Sequence, residues 1–299
     1  MVAVSGGIDS ACVAALAVRA LGPRRVFGLL LPERDSAGES TLFGRKLCER
    51  LGIEFQLIDV APLLEASGCY RVRDAAVASV DKGFRPGMPW KIVSTGNRLD
   101  SDAVNVFSVI VQRPDGTEVK TRLTPKAYLE IVAATNFKQR TRKMVEYFHA
   151  DRLIYACSGT PNRLEYDQGF FVKLGDGAAD VKPIAGLYKT QVYALAKHLG
   201  VIGEILEREP TTDTFSLAQS QEDFYFALPW RTLDLVLWAK NHGVPAAECG
   251  QVLGFTAVQV QRVYDDVDQK RRTTAYLHAP PLLLEEVREL APFACRAPG

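Results

Sequence analysis

Several devices that would place a chain of this size in a familiar class are missing. Six cysteines (Cys12, Cys48, Cys69, Cys157, Cys249, Cys295) are scattered over 299 residues, and none forms a Cys-x-x-Cys pair. The four histidines (His149, His198, His242, His278) do not cluster with them. Such spacing argues against a zinc site or a disulfide framework. No apolar run reaches the ~18 residues that a membrane-spanning helix needs, and the start carries no signal-peptide pattern. A cytoplasmic protein without membrane contact is therefore expected. Charge of one sign is not in excess either. Thirty-six Lys and Arg stand against 35 Asp and Glu, a net +1 that gives no reason to expect bulk nucleic-acid binding. Internal repeats, low-complexity tracts and linkers are absent.

What is present suits a soluble enzyme core. Hydrophobic residues make up 47% and charged residues 24% of the chain, enough for a sizeable interior. The most informative stretch is the first. Val2-Ala3-Val4 reads as a strand and runs into Ser5-Gly6-Gly7-Ile8-Asp9-Ser10, followed by an Ala/Val-rich helix over 11–20. Glycines permit a tight turn that brings N–H groups close to an anion. A helix N-terminus adds partial positive charge. Asp9 would repel a phosphate unless it holds a divalent cation that also touches the phosphates. No Gly-x-x-x-x-Gly-Lys-Ser/Thr occurs, so this is not a Walker A loop. The first strand has only about four residues before the loop. That points to a short N-terminus or to a start inside a longer gene product.

Further along, 26–31 reads as a buried strand, 54–60 as a third strand and 40–51 as a helix closed by Gly52. Strand alternating with helix implies a parallel sheet with helices on its faces. Ligands of such sheets bind beyond the C-terminal strand ends, where the first loop lies. Between about 70 and 125 the pattern breaks. Phe107–Gln112 and Glu118–Leu123, joined through Arg113-Pro114-Asp115-Gly116, predict a β-hairpin. It reads as an insertion serving as a lid or an oligomer contact. Residues 128–149 predict a helix, 152–157 a strand, and 187–199, 233–242 and 256–271 further helices. The fold class is α/β: a Rossmann-like parallel sheet with helices on both faces, an inserted β-hairpin and a helical C-terminal part over about 215–299. The whole of 1–299 is read as one domain.

The Ser-Gly-Gly-x-Asp-Ser loop resembles the pyrophosphate loop of the ATP pyrophosphatases. A second block adds to it. Gly159-Thr-Pro-Asn-Arg-Leu-Glu165 is followed by Gly169-Phe-Phe-Val-Lys-Leu-Gly-Asp-Gly-Ala-Ala-Asp180 and then by Leu187-Tyr-Lys-Thr. Together these resemble the NAD synthetase family. The resemblance implies adenylation of the nicotinate carboxylate of deamido-NAD by ATP and Mg²⁺, followed by displacement of AMP by ammonia. It implies that Ser5, Gly6, Gly7, Ile8, Asp9 and Ser10 hold the ATP phosphates, with Arg34, Thr160, Lys189 and Thr211 as further ATP contacts. Asp9 and Glu165 would be the metal ligands, and Asp9 and Lys189 the catalytic pair. Arg140, Lys173, Asp180 and Lys270 would bind the acceptor. Of the cations Lys138, Arg140, Arg142 and Lys143, one is expected on the acceptor and the rest in solvent. Phe170 and Phe171 are expected in the core. Family members of this type are homodimers that share the acceptor site. Ammonia would come from solution or from a separate glutaminase.

Departures from the family pattern at Pro161, Leu164, Gln139 and Gln269, and after Thr212, leave open an amide ligase acting on a different carboxylate. A helix-turn-helix-like stretch within 245–272 leaves open a DNA-binding role, against which the near-neutral charge stands.

Overall fold

The centre of the molecule is built by a strand with no polar face. In β2 (Phe27–Leu30) all four residues are buried, as a parallel strand covered on both sides requires. Phe27, Leu29 and Leu31 pack with Val60, Leu64 and Ala134 on one face. Leu30 packs with Val4, Ala11 and Leu47 on the other. The computed structural model describes residues 1–95, 106–209, 215–217, 225–226, 228–285 and 287.

β1 (Val2–Ala3) and β3 (Glu54–Leu57) flank β2, all parallel, with Val2 opposite Gly28 and Leu30 opposite Leu57. The sheet continues beyond β1 through two isolated parallel bridges, Val2 to Ser158 and Ser158 to Val181. Helices α1 (Ile8–Leu21) and α2 (Gly38–Leu51) belong to one face, and α3 (Ala61–Ala66), α4 (Cys69–Val80) and α5 (Pro125–Leu153) to the other. As expected, α2 closes at Gly52, which takes a left-handed φ of 65°.

The strand expected over 152–157 does not form. Nothing in the sequence breaks α5 at His149, so it runs on to Leu153, and Ile154 caps it in the left-handed region with φ 57°. Ile154 is 95% exposed, and only Ser158 reaches the sheet. An apolar run was the wrong signal there because the helix had already consumed its first half.

The inserted hairpin is a three-stranded antiparallel sheet. β5 (Val106–Gln112) and β6 (Glu118–Arg122) pair around the predicted Asp115-Gly116 turn, where the Arg113 N–H donates to the Thr117 carbonyl at 2.8 Å. A third strand, β4 (Trp90–Thr95), pairs with β5, Trp90 facing Val111. Trp90, Ile92, Val109 and Val111 pack on Ala127 and Ile131 of α5. The 29 residues of α5 span about 43 Å at 1.5 Å per residue. Its N-terminal half carries the inserted sheet and its C-terminal half the parallel sheet.

Among the described residues the remaining helices are α6 (Arg163–Gln168), α7 (Lys189–His198), α8 (Gly203–Leu206), α9 (Trp230–Asn241), α10 (Ala246–Leu253) and α11 (Ala257–His278). Val192 of α7 and Ile205 of α8 join the core around α1, while Leu164, Leu233, Leu237, Cys249, Val260 and Val263 form a core shared by α6, α9, α10 and α11. The helix-turn-helix-like stretch is α10 and α11, and the apolar face of α11 is buried against this core. Among the described residues no helix is long and apolar enough to cross a membrane.

Burial drives the thiols of Cys12 and Cys48 up to about 12 and that of Cys157 up to about 11. Thiolate is the reactive form. Iodoacetamide at pH 8 should therefore spare all three in the native protein and alkylate them in guanidinium, as read by peptide mass spectrometry. An adduct on Cys12 in the native state would contradict this packing.

Candidate active site

The loop after β1 is shaped by one glycine. Gly6 has φ +79°, and a Cβ there would lie 2.1 Å from the Ser40 carbonyl oxygen of α2. Only a residue without a side chain fits. The loop is then closed by its own serines. The Ser5 N–H donates to Ser10 Oγ at 3.1 Å, Ser10 Oγ donates to the Gly7 carbonyl at 3.0 Å, and the Gly7 N–H donates to Ser5 Oγ at 3.3 Å. Both hydroxyls thus hold the loop's shape. Ile8 is buried in the core, which anchors the first turn of α1. That turn leaves backbone N–H groups without intrahelical acceptors.

Asp9 carries the densest set of contacts. Its Oδ1 accepts from Asn162 Nδ2 at 3.0 Å, and its Oδ2 pairs with Lys189 Nζ. Lys189 is 1% exposed. Burial would push its ammonium toward the neutral form, but Asp9, and behind it Glu165, outweigh this and raise its pKa. The position of Lys189 is set from α9. Asp234 Oδ1 accepts from the Lys189 N–H at 3.1 Å and Oδ2 from the Thr190 N–H at 2.6 Å. A buried carboxylate thus caps α7 where the helix dipole favours it. Glu165 is the third residue of α6. Its Oε2 accepts from the Asn162 N–H at 3.1 Å, and its own N–H donates to Asn162 Oδ1 at 3.3 Å, a capping box.

Ser5, Gly7, Asp9, Ser10, Thr160 and Glu165 line one cavity of about 530 Å³. Gly6, Ile8 and Lys189 lie behind this lining. Ser158 also lies on the cavity lining, and its Oγ is buried with no hydrogen-bond partner among the described residues. Phe170 and Phe171, expected in the core, line the cavity and are only half-buried. Residues of α5 form a long wall, from Tyr128 and Ile131 through Thr135 and Gln139 to Lys143 and Glu146, as a 3.6-residue period dictates. At the far end Ile92 and Phe107 of the inserted sheet complete it.

The other sequence-predicted residues lie outside this lining. Arg34 stacks on Tyr70, 4.1 Å from the ring centre, and pairs with Asp74 at 3.1 Å. Arg140 is exposed, and its Nε donates to the Lys173 carbonyl at 3.1 Å. Lys173 Nζ donates to the Tyr276 and Ala279 carbonyls at 2.7 and 3.0 Å. Asp180 accepts from the Cys157 N–H at 2.7 Å and the Tyr147 hydroxyl at 3.3 Å. Lys270 pairs with Asp266 at 2.8 Å and sits 4.6 Å from the Tyr225 ring centre. Thr211 lies outside the described residues.

The α5 cations correct the expectation that three of four face solvent. Lys138 is 2% and Lys143 6% exposed, while Arg142 is half-buried and lines the cavity. Lys138 pairs with Glu33 at 3.0 Å and with Asp35 at 2.5 Å, and Arg73 also pairs with Asp35. This cluster ties the loop after β2 to α4 and α5. Lys143 pairs with Glu146 at 2.5 Å. Burial raises the pKa of Glu146, and also that of Asp176, which lines the same cavity. Charge spacing along a helix gives no hint that such residues point inward.

With this geometry in view, the comparison with known proteins is direct. The family model for NAD synthase matches residues 1–85 and 108–275. This chain belongs to the NAD synthase family. An NH3-dependent NAD+ synthetase of Mesorhizobium japonicum is 55% identical over 289 residues, which cover 97% of this chain and 90% of that one. The fold matches an NMN synthetase of Francisella tularensis with a TM-score of 0.61 at 23% identity, over 94% of this chain and 87% of that one. An NH3-dependent NAD synthetase of Campylobacter jejuni matches with a TM-score of 0.58 at 22% identity, over 95% and 88%. The stretch that the NAD synthase match passes over, 86–107, contains β4. One strand of the inserted sheet thus falls outside the family match.

Gly6→Ala combines a left-handed backbone with a clash against main chain. It should destabilise the fold by about 2 kcal/mol, read as a lowered midpoint in urea. It should also weaken ATP binding, read by calorimetry.

Proposed function

We propose that this chain is an ammonia-dependent NAD+ synthetase. The nicotinate carboxylate of deamido-NAD attacks the α-phosphorus of ATP, diphosphate leaves, and ammonia then attacks the acyl carbon and expels AMP. The observation that carries the reading is the meeting of Asp9 and Glu165 in one cavity with the Ser5–Ser10 loop, in a chain 55% identical to an enzyme named for this reaction.

The donor set fits Mg²⁺. Two hard carboxylates open on the cavity, and among the described residues no group of three or more His, Cys, Asp or Glu could hold a metal by itself. Magnesium is commonly bound this way, by one or two carboxylates plus substrate phosphates and water. Bound there, it would offset the charge that collects on the departing diphosphate. The chain's own residues do the rest. Lys189 fixes one oxygen of Asp9 and keeps a positive charge beneath the loop. The loop amides and the N-terminus of α1 hold phosphate oxygens. Thr160 on the same lining offers a further polar contact to the nucleotide. Holding carboxylate and α-phosphorus in line is most of what such a site must do.

The acceptor residues suit a homodimer. Leu129, Phe137, Met144 and Phe148 are exposed by 41–64% along one stripe of α5, and exposed Arg140 lies in the same stripe. An apolar stripe of this length favours a second copy over water, and a second copy would bring acceptor and Arg140 together. ATP and ammonia are taken from the cytoplasm, with or without a separate glutaminase.

Purified protein with ATP, Mg²⁺, ammonia and deamido-NAD should release AMP and NAD+ in equal amounts. Asp9→Asn should reduce this by at least about 100-fold. ATP binding without NAD+ formation would point to another carboxylate. Light scattering should give twice the chain mass. Met144→Asp should halve it and raise KM for the acceptor more than KM for ATP; a dimer that survives this change would refute the α5 interface.

A further inference from the structure

Asn162 is fully buried, at 0% exposure; its carbonyl accepts from the Tyr166 N–H at 2.8 Å inside α6, while its side chain and its N–H bond to the two proposed metal ligands. Its Nδ2 donates to Asp9 Oδ1 at 3.0 Å. Its Oδ1 accepts from the Glu165 N–H at 3.3 Å, and its own N–H donates to Glu165 Oε2 at 3.1 Å. An ordinary helix cap needs only the side-chain acceptor, which serine, threonine or aspartate provides equally well. The amide nitrogen is superfluous to a cap. Here it crosses 153 positions of sequence to grip a carboxylate on another helix.

We propose that Asn162 is a positioning residue that sets the separation and orientation of Asp9 and Glu165 for a divalent cation. This rests on the reading of those two carboxylates as metal ligands. The chemistry favours asparagine over each near relative. Serine and threonine keep the cap but are too short to supply the second bond. Aspartate keeps the cap but sets a carboxylate against Asp9, where like charges repel. Asn162 and Lys189 hold different oxygens of Asp9, so the carboxylate plane is fixed from two sides. The lysine is in turn capped in place by Asp234, and the asparagine is anchored by α6. The two carboxylates therefore move as one unit with α1, α6 and α7. Residues that orient metal ligands in this way typically contribute 10- to 100-fold to metal affinity.

The test titrates Mn²⁺ into the full-length protein saturated with α,β-methylene-ATP, with free Mn²⁺ read by electron paramagnetic resonance. Asn162→Ser and Asn162→Thr, both good caps, should weaken Mn²⁺ binding by about 10-fold or more. Their affinity for the nucleotide analogue in EDTA should stay at the native value. Two variants are used so that a failure of one to fold leaves the other. Native Mn²⁺ affinity in both variants, with Glu165→Gln weakened, would overturn the role of Asn162 alone. Equal losses of analogue affinity with and without metal would overturn it too, since a merely structural defect behaves so. Native Mn²⁺ affinity in Glu165→Gln would overturn the two-carboxylate reading and the role of Asn162 with it.

Discussion

The architecture of the site depends on one buried ion pair, Asp9 with Lys189. A lysine at 1% exposure carries a large desolvation cost, which is tolerable only with a close carboxylate and further hydrogen bonds around it. Each partner lies at the beginning of a helix: Asp9 in the first turn of α1, Lys189 as the first residue of α7. The pair therefore locks the loop after the first strand to the second half of the chain. Removing one partner would strand a buried charge, at a cost of about 3–5 kcal/mol. Asp234 extends the constraint to α9 and Asn162 extends it to α6, so four helices converge on the Asp9 carboxylate.

What was legible in the sequence was local. The phosphate loop depends on glycine and serine within six positions. The C-terminal end of α2 at Gly52 and the turn at Asp115-Gly116 depend on single residues whose preferred backbone angles decide the structure. The strand at 26–31 needs only an unbroken apolar run of strand length. What escaped was set by partners far apart in sequence. Glu33 and Lys138 are 105 positions apart, and Asp9 and Asn162 are 153 apart. Periodicity says which face a cation occupies and not whether that face meets an acid. Lys138 and Lys143 were accordingly expected in water. Ser158 shows a related limit. A residue that joins a sheet through a single bridge on each side has no run of strand residues to betray it.

The helix α5 joins functions that the sequence presents separately. One stripe carries cavity-lining residues from Tyr128 to Glu146. A second carries exposed apolar residues from Leu129 to Phe148. Because both lie on a single rigid element, pressing the outer stripe against another chain transmits directly to the inner wall. The inserted sheet packs on the same helix through Ala127 and Ile131 and closes the cavity's apolar end. Its edge strand β4 falls where the family match breaks. The polar end of the cavity is thus built from segments that the family model matches, and the apolar end partly from a stretch that it passes over.

Electrostatics then explain why the carboxylates can stand in a site for polyphosphate. Lys189 already balances Asp9, so Glu165 is the carboxylate that would repel a nucleotide that arrived bare, with no charge from Lys189 left to offset it. The loop amides and the α1 dipole supply only fractions of a charge. In the proposed site a nucleotide would be admitted best with its own negative charge already partly neutralised, which would couple nucleotide affinity to divalent cation. In that arrangement the spacing of the two carboxylates matters more than their number. A rigid asparagine between them is a more economical means of control than a third acid, which would add charge that the phosphates must then overcome.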